Sequence, residues 1–205
     1  MKIPKITGIK RTIGYFALAA SALTIPTYTT LAQNKKDKIE LIKNRVPACG
    51  TQDSLVLANA PSPTINIAGQ KQQVVAVVDL SQNVLYQYDE HGNAVNAYLI
   101  ASGKKTTPTN KGVRAVTHIE TYPYKKAPKH TKRYKNPQDY GPKIICLETV
   151  DTLSNARGIT GEFIHGNNNL HSIGKYASKG CMRMDNEVIK KLANQVKRGQ
   201  FILIK

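Results

Sequence analysis

A histidine and a cysteine near the C-terminal end of the sequence are suited to nucleophilic catalysis. His165 ends the apolar segment Phe163-Ile164-His165, and Cys181 follows within Ser178-Lys179-Gly180-Cys181. A thiol becomes a strong nucleophile once it loses its proton, and a neighbouring imidazole can accept that proton and form an ion pair with the thiolate. The sequence therefore predicts that His165 and Cys181 act as a pair.

The residues next to Cys181 suit the negative charge that develops during acyl transfer. Gly180 lets the backbone turn sharply, so that amide groups can point at an oxyanion, where one donor is worth about 3 kcal/mol. Arg183 offers a planar fork to a substrate carboxylate. Taken singly, however, a cysteine is more often a small buried hydrophobic residue than a nucleophile.

A zinc site is the other chemistry that these residue types allow. His118, His165 and His171 could join Cys181 as ligands, but their spacing matches no local zinc motif and no acidic residue stands beside them. The sequence favours thiol catalysis, and we expect neither a metal ion nor a cofactor.

The elements that must position these residues are mostly strands. Apolar runs typical of strands cover residues 74–78, 84–88, 95–100, 113–119, 144–150 and 201–204. One amphipathic helix is expected, capped by Asp185 or Asn186 and stopped by Gly199. Because strands follow one another without helical patterns between them, we expect a mostly β fold. Its form would be a β-sandwich or barrel of mixed sheets with one C-terminal amphipathic helix.

The first 32 residues have the layout of a secretory signal peptide. Four basic residues lie within the first eleven, an apolar run covers 13–25, and Thr30 and Ala32 fit cleavage before Gln33. The apolar run is shorter than the roughly 20 residues of a membrane span. We expect export and removal of residues 1–32, and a membrane association only if the segment stays uncleaved.

The rest of the chain has the size of one domain with a flanking segment. Residues 33–69 are polar and punctuated by prolines, which predicts a tether or a wrapping arm, and the domain itself is expected over 70–205. The 205 residues carry 30 Lys and Arg against 13 Asp and Glu, a formal charge of +17. An exported protein of this charge is expected to meet an anionic wall polymer or acidic lipid, and not nucleic acid.

The two other cysteines allow a disulfide. In an oxidising compartment Cys49 and Cys146 could pair, which would fasten the arm to the strand around Cys146 and leave Cys181 free. A buried thiol at Cys146 and an exposed one at Cys49 are the alternative.

The residues around the cysteine resemble the L,D-transpeptidases with a YkuD-type catalytic domain. That family has a His-Gly pair, a loop with an internal Ile-Gly, and a Ser-x-Gly-Cys-apolar-Arg ending. The sequence contains these features in order, as His165-Gly166, Ile173-Gly174 and Ser178-Lys179-Gly180-Cys181-Met182-Arg183. The resemblance covers about residues 70–205.

The resemblance implies an exported cysteine acyltransferase that acts on peptidoglycan stem peptides. Cys181 would be the nucleophile and His165 the general base, with Gly166 orienting the imidazole through its backbone carbonyl. The amides of Gly180 and Cys181 would be the oxyanion donors. The thiol would attack the carbonyl on the L-centre of the third stem residue and expel D-alanine, and the same thiol is expected to be acylated by carbapenems.

Substrate contacts and the acyl acceptor are less constrained by the resemblance. Arg183, Ser178 and Lys179 are expected to contact the substrate, and the basic, tyrosine-rich loop over 122–142 could be a lid over the stem peptide. The acceptor would be a second stem amine, a lipoprotein lysine, a free D-amino acid or water, the last giving an L,D-carboxypeptidase or amide hydrolase. The alternative from a different functional class is a non-catalytic protein that binds wall polymer. The expected location is the periplasm or the cell wall.

Overall fold

The computed structural model describes residues 35–125 and 127–205, so the expected signal peptide lies outside the described residues. The described part contains four α-helices, α1 (Lys35–Arg45), α2 (Ser54–Leu57), α3 (Lys132–Lys135) and α4 (Asn186–Gln195). Its strands are β1 (Thr64–Ile67), β2 (Gln70–Asp79), β3 (Val84–Tyr88), β4 (Ala94–Leu99), β5 (Ser102–Gly103), β6 (Gly112–Thr121), β7 (Lys143–Val150), β8 (Arg157–His165), β9 (Tyr176–Ser178), β10 (Met182–Arg183) and β11 (Phe201–Ile204).

Nine of these strands form one mixed sheet. Its order is β10-β8-β7-β6-β11-β2-β3-β4, with β1 paired to β2, and β5 and β9 form a separate two-stranded sheet. The pairs β10–β8 and β11–β2 are parallel, whereas the other pairs of the main sheet are antiparallel. The expectation of a mostly β fold with a mixed sheet is confirmed.

The apolar runs in the sequence correspond to strands that are covered on both faces. All five residues of β3 are buried, and they alternate between two clusters, with Leu85 on one face and Val84 and Tyr86 on the other. Such two-sided burial replaces the apolar-polar alternation of a half-exposed strand by a continuous apolar run.

Helix α4 covers one face of the sheet. The Asp185 carboxylate caps it by accepting hydrogen bonds from the amides of Glu187 and Val188, at 2.8 and 3.3 Å. Its buried residues are Val188, Ile189, Leu192 and Ala193. The helix was expected to continue to Gly199, but it ends at Gln195 because Val196 is extended and packs into the core.

A second long helix, α1, corrects the expectation of a single helix. Its residue Ile42, together with Val46 and Val56 of the following segment, packs on the opposite face of the sheet against β2, β3 and β4. Further along, Thr51 pairs with Ala97 of β4. Residues 35–67 therefore lie against the sheet as a wrapping arm and do not form a free tether. None of the described helices combines the length and the apolar character that a bilayer crossing requires.

The 122–142 loop is folded down onto the sheet. It contains α3 and a 3₁₀ turn, Pro137–Tyr140, and buries Tyr124 and Ala127 against Ile144 and Cys146 of β7. The loop that carries these basic residues therefore makes apolar contacts of its own with the sheet.

Candidate active site

The end of β8 and the short strand β10 carry the two residues singled out for catalysis. Their parallel pairing places Met182 beside Ile164 and Arg183 beside His165. Cys181 precedes Met182 and therefore shares the face of Arg183 and His165, since successive side chains alternate along an extended chain. The Cys181 sulfur also contacts the backbone carbonyl oxygen of Gly161 on β8. The structure thus brings His165 and Cys181 to one face of the sheet.

The imidazole of His165 is buried, neutral and held in one tautomer. Its side chain is almost fully buried, and Nδ1 lies 2.5 Å from the Gly166 carbonyl oxygen. A carbonyl can only accept, so Nδ1 carries the proton and Nε2 presents its lone pair. Burial lowers the pKa of His165 to about 4; the hydrogen bond to Gly166 opposes this shift and the nearby Arg183 charge adds to it. His165 is therefore ready to accept a proton at neutral pH.

Gly166 fits its position because it has no side chain. A Cβ atom there would lie 2.3 Å from Asn186 Oδ1 and 2.9 Å from Pro142 Cδ. The same Asn186 oxygen accepts a hydrogen bond from the Asn167 amide at 2.9 Å. The start of α4 and the end of the 122–142 loop thus enclose Gly166 and fix the carbonyl that orients His165.

Burial also favours the neutral form of the Cys181 thiol. The residue is partly exposed, and Sγ lies 3.7 Å from the Gly161 carbonyl oxygen. Burial raises the pKa of Cys181, whereas the Phe163 backbone and the charge of Arg183 act to lower it. Burial thus acts against the expected thiolate–imidazolium pair at both groups, and the pair itself stays a prediction. Where both groups are neutral, proton transfer from Cys181 accompanies its attack.

Ser178 and Gly180 form the turn that presents Cys181. Ser178 Oγ donates to the Cys181 carbonyl oxygen at 2.6 Å and accepts from the Gly180 amide at 3.0 Å. Gly180 has φ +116, a conformation that favours glycine. Ser178 is buried inside this turn, which corrects its expected role as a substrate contact. The Gly180 amide is already engaged, so of the two expected oxyanion donors the Cys181 amide is the candidate.

Residues that the sequence analysis did not single out form hydrogen bonds that support this turn. Thr109 Oγ1 donates to the Gly180 carbonyl oxygen at 2.8 Å and accepts from the Gly103 amide at 2.9 Å. Next to it, the buried carboxylate of Glu162 accepts from Nε and Nη2 of Arg114 at 3.0 and 2.7 Å. Glu162 could have been noticed in the sequence, because it is an acidic residue next to the apolar segment that ends at His165.

Two basic side chains of the expected site differ in their surroundings. Arg183 is partly buried, and its Nε is a buried donor without a hydrogen-bond partner among the described residues. A buried unsatisfied donor is costly, and an incoming oxygen ligand would satisfy it. Lys179 is exposed to solvent beside the turn.

Tyr140 is a member of the site that sequence reasoning placed only in the basic loop. Its ring packs on the imidazole of His165, with a centroid separation of 4.7 Å. Burial raises the pKa of Tyr140, and the proximity of Cys181 adds to this effect. The 122–142 loop therefore reaches the catalytic pair through Tyr140.

The expected disulfide is not formed, because Cys49 and Cys146 lie far apart and both are free thiols. Cys49 is exposed next to the segment that pairs with β4, whereas Cys146 is buried on β7. Four strands separate β4 from β7 in the sheet. With strands about 4.8 Å apart, the five steps from β4 to β7 span about 24 Å along the sheet, whereas a disulfide allows roughly 7 Å between Cα atoms.

The fold and this site define a cysteine–histidine arrangement on a mixed β-sheet, and comparison with known proteins assigns it to a family. Residues 73–204 match YkuD, the L,D-transpeptidase catalytic domain. The match covers more than half of the chain. The protein therefore belongs to the YkuD family of L,D-transpeptidase catalytic domains.

Several individual proteins are similar to this chain. The Bacillus subtilis protein YqjB, which is provisionally named an L,D-transpeptidase, is 30% identical over 107 residues, or 52% of this chain and 57% of its own. The structure of Bd1075 from Bdellovibrio bacteriovorus shares the fold, with a TM-score of 0.51 and 23% identity over 71% of this chain and 53% of that chain. A mutant of the Enterococcus faecium L,D-transpeptidase has a TM-score of 0.47 and 24% identity over 65% of this chain and 50% of its own. The chain thus spans only about half the length of these proteins.

Proposed function

We propose that the protein is an exported cysteine L,D-transpeptidase that acts on the stem peptides of peptidoglycan. The observation that carries this proposal is the neutral His165, whose Nε2 lone pair is left free by the hydrogen bond from Nδ1 to Gly166 and whose ring shares a face with Cys181. A neutral imidazole beside a neutral thiol is the starting state for general-base activation of the nucleophile.

The acylation step uses these groups in order. Cys181 Sγ attacks the carbonyl on the L-centre of the third stem residue, and its proton passes to His165 Nε2. The Cys181 amide stabilises the oxyanion of the tetrahedral intermediate, as preorganised donors do in acyl transfer. When the intermediate collapses, the imidazolium gives its proton to the departing amine of D-alanine, which leaves a thioester on Cys181.

The second step returns the enzyme to its starting state. An acceptor amine attacks the thioester carbonyl, His165 takes a proton from that amine, and the Cys181 sulfur leaves and is reprotonated. The acceptor is a second stem peptide in this proposal, and a lipoprotein lysine or a free D-amino acid would react by the same route. The positive charge of the partly exposed Arg183, close enough to Cys181 to lower its pKa, suits an oxygen of the stem peptide. Lys179 at the rim adds positive charge for the stem carboxylates.

Export forms part of the same proposal. Residues 1–32 serve as a signal peptide, and the catalytic domain works in the periplasm or at the cell wall. The formal charge of +17 loses the four basic residues within 1–32 on cleavage, and the remaining +13 suits contact with anionic wall material.

The test is incubation of the protein with a disaccharide-tetrapeptide muropeptide, followed by mass spectrometry. Loss of D-alanine with formation of a cross-linked dimer is the expected result, and Cys181→Ala should abolish it while remaining folded. The matched control is Cys49→Ala, which removes an exposed thiol far from the site. Loss of D-alanine without a dimer would assign hydrolysis instead. Unchanged muropeptide together with an unmodified Cys181 would overturn the proposal.

A carbapenem provides an independent check of the nucleophile. A stable adduct is expected on Cys181, located by fragment mass spectrometry, whereas Cys49 and Cys146 should remain unmodified. Labelling of Cys49 to the same extent would show that the reagent reacts without a dedicated site.

A further inference from the structure

A second cluster of chemically reactive side chains lies on β6 and β7, outside the catalytic pair. It consists of His118, Glu120 and Cys146, here called the β6–β7 triad, and one ligand atom from each lies within 4.8 Å of the others. Glu120 and Cys146 are buried, whereas the side chain of His118 is 58% exposed. The triad is thus open to solvent on one side and enclosed by protein on the other.

Hydrogen bonds fix the orientation of the His118 ring. Thr117 Oγ1 donates to the Cys146 carbonyl oxygen at 3.1 Å, so towards His118 Nδ1, 3.0 Å away, it acts as an acceptor. His118 Nδ1 therefore donates to Thr117, and Nε2 is the ring nitrogen that faces Glu120. Partners of this kind set the tautomer of metal-binding histidines in proteins.

His118 and Glu120 face each other as a hydrogen-bonded pair, in which a metal ion would take the place of the shared proton. His118 Nε2 lies 3.2 Å from Glu120 Oε1. Two ligand atoms each about 2.1 Å from a tetrahedral Zn²⁺ ion are about 3.4 Å apart, so the spacing between Nε2 and Oε1 needs little adjustment to hold the ion. The other carboxylate oxygen, Oε2, is bound by Arg133 Nε at 3.0 Å, which leaves Oε1 as the oxygen available for an ion.

We propose that His118, Glu120 and Cys146 form a zinc site that is separate from the catalytic pair. A sulfur, a nitrogen and a carboxylate oxygen are a ligand set that selects zinc over the hard cations Mg²⁺ and Ca²⁺. The exposed side of His118 leaves room for water as the fourth ligand. Binding replaces the thiol proton of Cys146, which passes to the buffer, and it forms one bond from the ion to each protein ligand.

The position of the triad gives the site a structural role. The 122–142 loop contacts it twice, because Arg133 binds Glu120 and Tyr124 packs with Cys146. A cavity of about 340 Å³ beside the triad, lined in part by His118, Glu120 and Tyr124, gives an ion access from solvent. Zinc would fasten β6 to β7 under the loop whose Tyr140 contacts His165.

The test measures zinc in a protein whose other thiols have been removed. The full chain carrying Cys49→Ser and Cys181→Ala is the starting variant, so the result does not depend on catalysis. We expect it to retain one Zn²⁺ ion per chain after desalting, with Mg²⁺ present in excess. In the Co²⁺-loaded form, thiolate-to-metal absorption in the near ultraviolet reports the Cys146 ligand directly.

Each ligand is then removed in the starting variant. His118→Ala, Glu120→Gln and Cys146→Ser should each weaken zinc binding more than tenfold, and Thr117→Val about tenfold, because it releases the orienting hydrogen bond. His91→Ala is the matched control, since His91 also pairs with a carboxylate, that of Glu90 at 3.6 Å, but has no thiol beside it. Its zinc content should be unchanged.

Three results would overturn the zinc site. They are no retained zinc in the starting variant, full retention in His118→Ala, and cobalt absorption that persists in Cys146→Ser. His118→Ala changes an exposed side chain and keeps the test valid if Cys146→Ser does not fold.

Discussion

The ring of Tyr140 lies against the imidazole of His165, with centroids 4.7 Å apart and planes inclined by 38°. Tyr140 ends the 3₁₀ turn in the 122–142 loop, whereas His165 ends β8. The imidazole of His165, the proposed general base, is therefore held from two directions. The Gly166 carbonyl fixes its tautomer from the same strand, and the loop fixes the plane of its ring.

Removing the Tyr140 ring should impair catalysis, whereas removing its hydroxyl should not. We expect Tyr140→Ala to lower kcat/KM tenfold to about a hundredfold, because a small misplacement of a catalytic group has effects of this size. Tyr140→Phe keeps the ring contact and should retain most activity. Steady-state kinetics with a tetrapeptide muropeptide provide the measurement. Equal impairment of the two variants would show that the hydroxyl, and not the packing, is what His165 requires.

The Cys181 thiol should react slowly with alkylating reagents at neutral pH. Because burial raises the pKa of Cys181, the rate of iodoacetamide labelling should keep rising as the pH increases through 9. The rate for each cysteine is measured by peptide mass spectrometry, with the exposed Cys49 as internal reference. A plateau in the Cys181 rate below pH 7 would instead indicate a thiolate–imidazolium pair.

Burial of His165 should make the fold less stable in acid. The pKa of His165 is about 4 in the folded protein, below its ordinary value of 6.5, so the unfolded chain binds the proton more readily between these two values. The free energy of unfolding should fall as the pH drops from 6.5 to 4, by about 3 kcal/mol when complete. Urea unfolding at several pH values measures it. His165→Gln should lose less stability over the same interval, and identical slopes would contradict this origin.

Substitution of Gly166 should disturb both stability and activity. The Cβ of Gly166→Ala would overlap Asn186 Oδ1, and overpacking of this kind costs about 1–3 kcal/mol. A shift of residue 166 in this variant would also move the carbonyl that orients His165. Gly161→Ala is the control for stability, because a Cβ there meets nothing within 4 Å. Thermal unfolding of the two variants should therefore differ, and equal melting temperatures would argue against close packing around Gly166.

The ion pair of Arg114 and Glu162 should contribute far more to stability than an exposed pair. Its side chains are 4% and 8% exposed, and Arg114→Met would leave the Glu162 carboxylate buried without its cation. The expected loss is about 3–5 kcal/mol. Lys190→Met breaks an exposed pair with Glu187 and should cost less than about 0.5 kcal/mol. Chemical unfolding measures the free energy of unfolding of the two variants. Similar losses in both would mean that the Glu162 carboxylate is not isolated from water.

Several elements could be predicted from the sequence because their information is local. Strands β3 and β11 coincide with apolar runs, and Asp185 marks the start of α4 by its capping side chain. The His165 and Cys181 pair was visible because the family signature is carried by a short stretch of chain. These features require no knowledge of distant contacts.

The remaining features depend on contacts between distant parts of the chain. Helix α1 has few apolar residues, and its burial becomes apparent only when Ile42 meets the sheet. The engagement of the Gly180 amide by Ser178 depends on the conformation of one turn. The separation of Cys49 from Cys146 follows from the strand order, and the contact of Tyr140 with His165 follows from how the 122–142 loop folds back.

The position of β11 has a consequence for how the protein assembles. This strand, residues 201–204, lies between β6 and β2, and Phe201 pairs with Ala115 on one side and Val74 on the other. Pairing between such distant parts of a chain forms slowly. Until β11 inserts, β6 and β2 each present an open edge, and open edges invite pairing with other chains. Insertion of β11 therefore closes two edges at once and joins the strands on either side into one sheet.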